Sequence, residues 1–274
     1  MPARSGNAPS KALAKKFEAL IATGRPEREY QKFLEEHPEF LLLPFLLNHQ
    51  LHFEAIVSQF RLNTGLTADF CYLTKSTAEW WLVLVELERP NIQLFKKNKL
   101  QLTPTDQFST RLAQIHTWKD EAMARSEEIM RQVEVIRHPL EYNRVTFKYV
   151  LVIGRDQPDR KAEVNARIVQ LGGADTRILT FDSLLRHYRS GYGEPCNIIT
   201  LNKGKVRFKY LHAEPFDMLR WLSPSDVLLT AKQKQQLRCW GMSVKNWEEN
   251  GNPYPPDKVF ERFKASLKKQ GKKS

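Results

Sequence analysis

The chain has 274 residues, of which 41% are hydrophobic and 27% charged, an ordinary balance for a folded protein with a buried core. Its 43 Lys and Arg outnumber 31 Asp and Glu, a net charge of +12 that favours polyanionic partners, nucleic acid foremost; a basic surface without such a partner is the blander reading. No stretch is long enough for a transmembrane helix, residues 1–16 lack the apolar core of a secretory signal, and three scattered cysteines without Cys-x-x-Cys exclude a zinc ribbon or disulfide framework and fit a reduced cytoplasm.

In chain order, residues 1–10 are rich in Pro, Ser, Gly and Ala and read as disordered. Residues 11–22 read as a short helix with Leu13, Phe17, Leu20 and Ile21 on one face, ended by Thr23-Gly24-Arg25-Pro26. A second helix spans 27–36, with Glu27 and Glu29 in its first turn, where the macrodipole favours acids. Tyr30, Phe33 and Leu34 form its apolar side, and residues 40–47 follow as an apolar segment. Residues 52–62, 66–73 and 79–88 read as three antiparallel strands, the first two joined by the turn Asn63-Thr64-Gly65.

The third strand, Trp80-Trp81-Leu82-Val83-Leu84-Val85-Glu86-Leu87-Glu88-Arg89-Pro90, organises the chain. It begins as a buried apolar run and ends in two carboxylates. Alternation puts Glu86 and Glu88 on one face, and Pro90 stops the ladder. Two unpaired carboxylates at a buried strand end are costly, so a cation, or an Arg or Lys, must offset them. Asp69 on the preceding strand supplies a third carboxylate, and the three suggest a metal cage of hard oxygen ligands suited to Mg²⁺ or Mn²⁺.

Residues 91–105 read as a loop bearing Lys96-Lys97-Asn98-Lys99, either a solvated surface or a contact for phosphate. One long helix is expected over 105–137, with Phe108, Leu112, Ile115, Ala122, Ile129, Val133 and Ile136 as its stripe, and with Gln114 and Trp118 one turn apart. Strand 147–153, helix 158–171 closed by Gly172-Gly173, strand 177–181 and helix 182–188 form a βαβ crossover that extends the meander into a mixed sheet. Arg155, just past a strand, could pair a carboxylate or touch a phosphate. A hairpin is expected over 197–211 around Asn202-Lys203-Gly204-Lys205, which lacks the residues of a P-loop. A Gln/Lys-rich segment, a Trp-containing stretch, a Pro-rich turn, a final helix and a basic tail complete the chain. His-Glu-x-x-His, Gly-x-Ser-x-Gly and Gly-x-Gly-x-x-Gly are all absent.

Six segments in order resemble one family: Glu29 to Pro38, Ala68-Asp69-Phe70, Val85-Glu86-Leu87-Glu88-Arg89-Pro90, Ala113-Gln114-Ile115-His116-Thr117-Trp118, Val152-Ile153-Gly154-Arg155 and Thr180-Phe181-Asp182-Ser183-Leu184-Leu185. Together they resemble the Shedu antiphage-defence proteins, over about residues 27–189. The resemblance implies an α/β fold of the restriction-endonuclease-like, PD-(D/E)xK type, a mixed sheet flanked by helices. It implies residues 1–26 as a leading segment, 27–190 as the nuclease-like domain and 191–274 as a basic extension. Asp69 and Glu86 would match the metal-binding acids, Gln114 a glutamine on the following helix, and Glu29 an acid on the opening helix. Glu88 stands where that superfamily carries Lys. Arg89 points to the opposite face, so Lys96, Lys97, Lys99 or Lys119 would have to reach in, or Glu88 is itself a ligand. The implied activity is Mg²⁺- or Mn²⁺-dependent cleavage of DNA, with Arg155, Lys96, Lys97 and Lys99 on nucleic acid, in a homo-oligomer without membrane contact. The rivals are a catalytically silent nucleic-acid-binding module and an oligomeric interaction protein using the Trp-rich C-terminal region.

Overall fold

The computed structural model describes residues 9–96, 101–157, 159 and 161–254. Its elements run α1 (Lys11–Ala22), α2 (Glu27–Glu36), β1 (Ala55–Arg61), β2 (Thr67–Lys75), β3 (Glu79–Leu87), α3 (Asp106–Ala124), α4 (Ser126–Val133), β4 (Arg144–Val152), α5 (Lys161–Gly172), β5 (Thr176–Leu179) and α6 (Phe181–Arg189). They continue as β6 (Asn197–Asn202), β7 (Lys205–Tyr210), α7 (Phe216–Trp221), β8 (Val227–Leu228), α8 (Ala231–Cys239) and α9 (Val244–Asn250). The expected final helix, basic tail, Lys97 and Lys99 lie outside the described residues.

All eight described strands form one mixed sheet, in the order β5-β4-β3-β2-β1-β6-β7-β8. The strands β1, β2 and β3 make the antiparallel meander, and β4 and β5 add to it in parallel through helical crossovers. On the other side β6 pairs β1 in parallel, so the hairpin joins the same sheet. Its turn residues Lys203 and Gly204 both have positive φ, at 51° and 72°, the geometry a two-residue loop needs to match the twist of its strands.

The two sheet faces bury separate cores. One takes Cys71, Leu82, Leu84, Leu151 and Ile199 against α3, α4 and α7 to α9. The other takes Ile56, Tyr72, Val83, Val85 and Val150 against α1, α2 and α6. The architecture is a mixed sheet flanked by helices, consistent with a restriction-endonuclease-like core.

The single helix expected over 105–137 is two helices. Five residues of its stripe, Phe108, Ile115, Ala122, Ile129 and Ile136, advance by sevens. A straight helix drifts about 20° per heptad against such a repeat. The backbone breaks at Arg125 (φ −126°, ψ 30°) and restores the aim, burying Ile129 and Val133 in α4. The hydrogen bonds from Arg125 N to Glu121 O (2.9 Å) and from Ile129 N to Arg125 O (3.0 Å) persist through the bend. The first strand is also shorter than expected: residues 52–54 form a tight turn with positive φ at Phe53 and Glu54, and β1 begins at Ala55.

Candidate functional site

The carboxylates gather at the C-terminal end of β3. Alternation turns Leu82, Leu84 and Glu86 to the face covered by α3. Phe70 pairs with Val85, so the register carries Asp69 opposite Glu86 one step further along. Glu88 lies just past the strand, its N–H donating to Val152 O at 2.8 Å, and its side chain is 1% exposed. Gly154 lets this corner form: its φ is +66°, and a Cβ there would stand 2.5 Å from Ile92 O.

Both oxygens of Asp69, and one each of Glu86 and Glu88, are tied to the protein. Asp69 Oδ2 accepts from Leu87 N at 2.8 Å, and its Oδ1 from Gln59 Nε2 at 3.2 Å. Glu86 Oε1 accepts from Gln114 Nε2 at 2.6 Å. Glu88 Oε1 accepts from Arg111 Nε at 2.6 Å, and Arg111 also donates to Gln114 Oε1 at 3.1 Å. A continuous chain, Glu88–Arg111–Gln114–Glu86, therefore fastens α3 to β3. Glu88 Oε2 is buried without a hydrogen-bond partner, and Glu27 is the neighbouring acid that acts most on Glu88.

Burial governs the electrostatics, and crowding adds to it. Burial, then the neighbouring Asp69 and Glu88 charges, push the Glu86 carboxyl up to about 9, against which the Gln114 bond works. Burial raises Asp69 to about 6, with Glu27 and Glu35 adding to the effect and the Leu87 amide opposing it. Glu88 is raised by burial and by Glu27, and lowered by Arg111. Such a set favours any added positive charge.

The opening helix crosses the strand ends. Glu27 reaches Glu88 at the end of β3, Gln31 Nε2 meets Asp69 O on β2 at 3.4 Å, and Glu35 receives Ser58 of β1. These three positions are four residues apart, a helical rise of about 6 Å, close to the roughly 4.8 Å between strands, so one side chain meets each strand. Lys209 of β7 donates to Glu35 Oε1 at 2.7 Å and anchors the far end.

Several residues singled out in the sequence sit differently. It is Glu27, not Glu29, that acts on Asp69, Glu86 and Glu88. Lys96 pairs with Asp106 at 3.0 Å and Lys119 with Asp175 at 2.8 Å, so the cation beside Glu88 comes from Arg111. Arg155 makes a two-pronged pair with Asp182, at 2.8 and 2.7 Å. Trp118 is core, as is Trp247, whose Nε1 donates to Leu219 O at 2.7 Å. Arg111 and Glu27 carried a usable signal: Arg111 is one turn before Gln114, and Glu27, Gln31 and Glu35 form a polar stripe at helical spacing.

Asp69, Glu86, Glu88 and Glu27 supply hard oxygen donors, the kind that Mg²⁺ and Mn²⁺ take. Their mutual repulsion and the unpartnered Glu88 Oε2 fit a cation in kind. Among the described residues, no three acidic, His or Cys groups are already drawn close enough to grip an ion. The oxygens are spread over protein donors, and side chains must turn for them to converge. No described helix is long and apolar enough to cross a membrane.

No curated protein matches the chain. Residues 24–185 match the family model described as Shedu protein SduA, C-terminal.

Proposed function

This chain belongs to the Shedu SduA C-terminal family, a family of antiphage defence, and we propose that it is a metal-dependent nuclease that hydrolyses DNA phosphodiester bonds. The observation that carries this reading is the group of carboxylates on one face at the end of β3, raised by burial and mutual repulsion. Asp69, Glu86 and Glu88 would hold Mg²⁺ or Mn²⁺, which supplies activation of water and stabilisation of the charge developing on phosphorus. Gln114 fixes the rotation of Glu86 and leaves its second oxygen for other work. Arg111 fixes Glu88 in the same way, and adds a positive charge beside the site. Glu27 faces Glu88 as a fourth acid.

The same Arg111–Glu88 pair favours a second reading. A carboxylate already matched by an arginine needs no metal ion to offset its charge, and the chain could be a nucleic-acid-binding module that retains the fold without cleaving.

Supercoiled and linear DNA incubated with the purified protein in Mg²⁺, Mn²⁺ or EDTA separates the two. Under the nuclease reading, metal supports cleavage, and Asp69→Asn or Glu86→Gln lowers the rate about a hundredfold or more, equal to about 2.7 kcal/mol of transition-state stabilisation. If both variants cleave like the parent, this site is not the source of activity. Glu88→Lys would set a lysine against Arg111 and remove a ligand, so cleavage is expected to vanish. A rise in cleavage would instead mark Glu88 as a group the chemistry does not need.

A further inference from the structure

The face of the sheet that carries α1, α2 and α6 holds a second charged surface, near the N-terminal ends of β3 and β4. Paired residues on neighbouring strands share a face, and the register sets Trp81 beside Thr146, Val83 beside Lys148, and Val150 beside Arg177. Phe45, from the irregular segment 41–46, meets Trp81 at 6.2 Å between ring centroids, edge to face. Lys148 Nζ stands 5.0 Å from the Trp81 ring and 5.5 Å from the Phe45 ring. Arg177 Cζ stands 4.8 Å from the Phe45 ring. Arg177 is exposed, and Lys148, Phe45 and Trp81 are half-buried.

The remaining contacts of the two cations are to backbone carbonyls. Lys148 reaches Ala174 O at 3.5 Å, and Arg177 reaches Gly173 O at 3.0 Å and Thr176 O at 3.2 Å. Among the described residues neither forms an ion pair. Rings and carbonyls hold a cation in place without cancelling its charge. Two full charges are thus fixed at one surface, with little side-chain freedom left to lose when an anion arrives.

This surface is not the carboxylate site. Trp81 is five residues before Glu86 and on the opposite face, roughly 17 Å away along the strand. The cations sit over the ring faces, so bases cannot stack there, and contact is to the phosphate backbone, which carries no sequence information. Flanking Arg144, Glu79 and Thr146 are polar, with Thr146 Oγ1 donating to Glu79 Oε2 at 3.2 Å.

We propose that Lys148 and Arg177, held by Phe45 and Trp81, form a second docking surface for the phosphate backbone of duplex DNA, remote from the carboxylates. The choice of DNA rests on the nuclease reading above, and the surface gives the protein a grip on its substrate outside the site of cleavage.

Binding of a fluorescein-labelled duplex, measured by anisotropy in EDTA over a series of salt concentrations, tests this without any cleavage. Lys148→Gln/Arg177→Gln is expected to bind more weakly and to lose about 1.8 from the slope of log affinity against log salt, the loss of two phosphate contacts. The charge-retaining exchange Lys148→Arg/Arg177→Lys is expected to keep the parent slope. With Mg²⁺, the loss falls in KM and not in kcat. An unchanged slope and affinity in the Gln variant overturn the proposal, as does failure of the parent to bind DNA. Equal weakening by the charge-retaining exchange overturns it in favour of a packing role. Loss of binding to anionic phospholipid vesicles with duplex binding intact overturns it in favour of a membrane surface. Intact binding with no cleavage under any metal refutes the nuclease reading and leaves the surface standing.

Discussion

Glu88 shows how one buried carboxyl depends on its neighbours. Its Oε1 takes Arg111, its Oε2 has no donor, and Glu27 faces it. The acids around it are raised, Glu86 to about 9 and Asp69 to about 6. An acid whose folded pKa lies above its unfolded value stabilises the fold through its neutral form. That stabilisation is complete below the ordinary carboxylate range and is lost as pH rises through the folded value. Metal-free protein is therefore expected to lose thermal stability as pH climbs from about 5 to about 9, reading the window from these two groups. Ions bind the charged forms and displace the protons, so Mn²⁺ affinity should rise over the same window. Calorimetric titrations in buffers of different ionisation enthalpy would show the released protons. Affinity that is flat from pH 6 to 9 would mean that these acids do not take the ion.

At the scale of elements, the site is a meeting of β3, α3 and α2, closed by the turn after β4. Gly154 governs that turn. Its φ of +66° suits glycine, and a Cβ would press on Ile92 O at 2.5 Å, a backbone atom that cannot swing away. Gly154→Ala is expected to lower stability by about 2 kcal/mol or more, from unfavourable backbone conformation and overlap together. Chemical denaturation would measure it. A change under about 0.5 kcal/mol would show that the loop shifts freely, and that the corner does not hold Glu88.

At the scale of the whole molecule, the family match ends at residue 185 while the sheet continues. In the same sheet, β6 covers the open edge of β1, and β7 sends Lys209 to the buried Glu35 of α2. Cutting the chain after residue 190 would expose the β1 edge and leave Glu35 buried without its cation. Such a fragment is expected to aggregate or to unfold without a cooperative transition, as scanning calorimetry would show. A soluble fragment melting like the full chain would mean that residues 191–254 are an accessory to the core.

The sequence by itself determined the antiparallel meander, the two parallel additions and the face shared by Glu86 and Glu88, because strand alternation and apolar periodicity are local properties of the chain. It also exposed Glu88 as a carboxylate in need of a positive neighbour. Only the tertiary structure decided which neighbour. Lys96 and Lys119 are close in sequence, yet each is drawn to another acid, and Arg111 is turned to β3 by the docking angle of α3. The choice of Glu27 over Glu29 has the same origin. Both suit a helix N-terminus equally well, and the direction in which α2 crosses the strand ends turns Glu27, Gln31 and Glu35 inward. Local pattern sets which face of an element is polar, whereas the angle at which two elements pack sets which polar groups meet, and that angle is a property of the whole core.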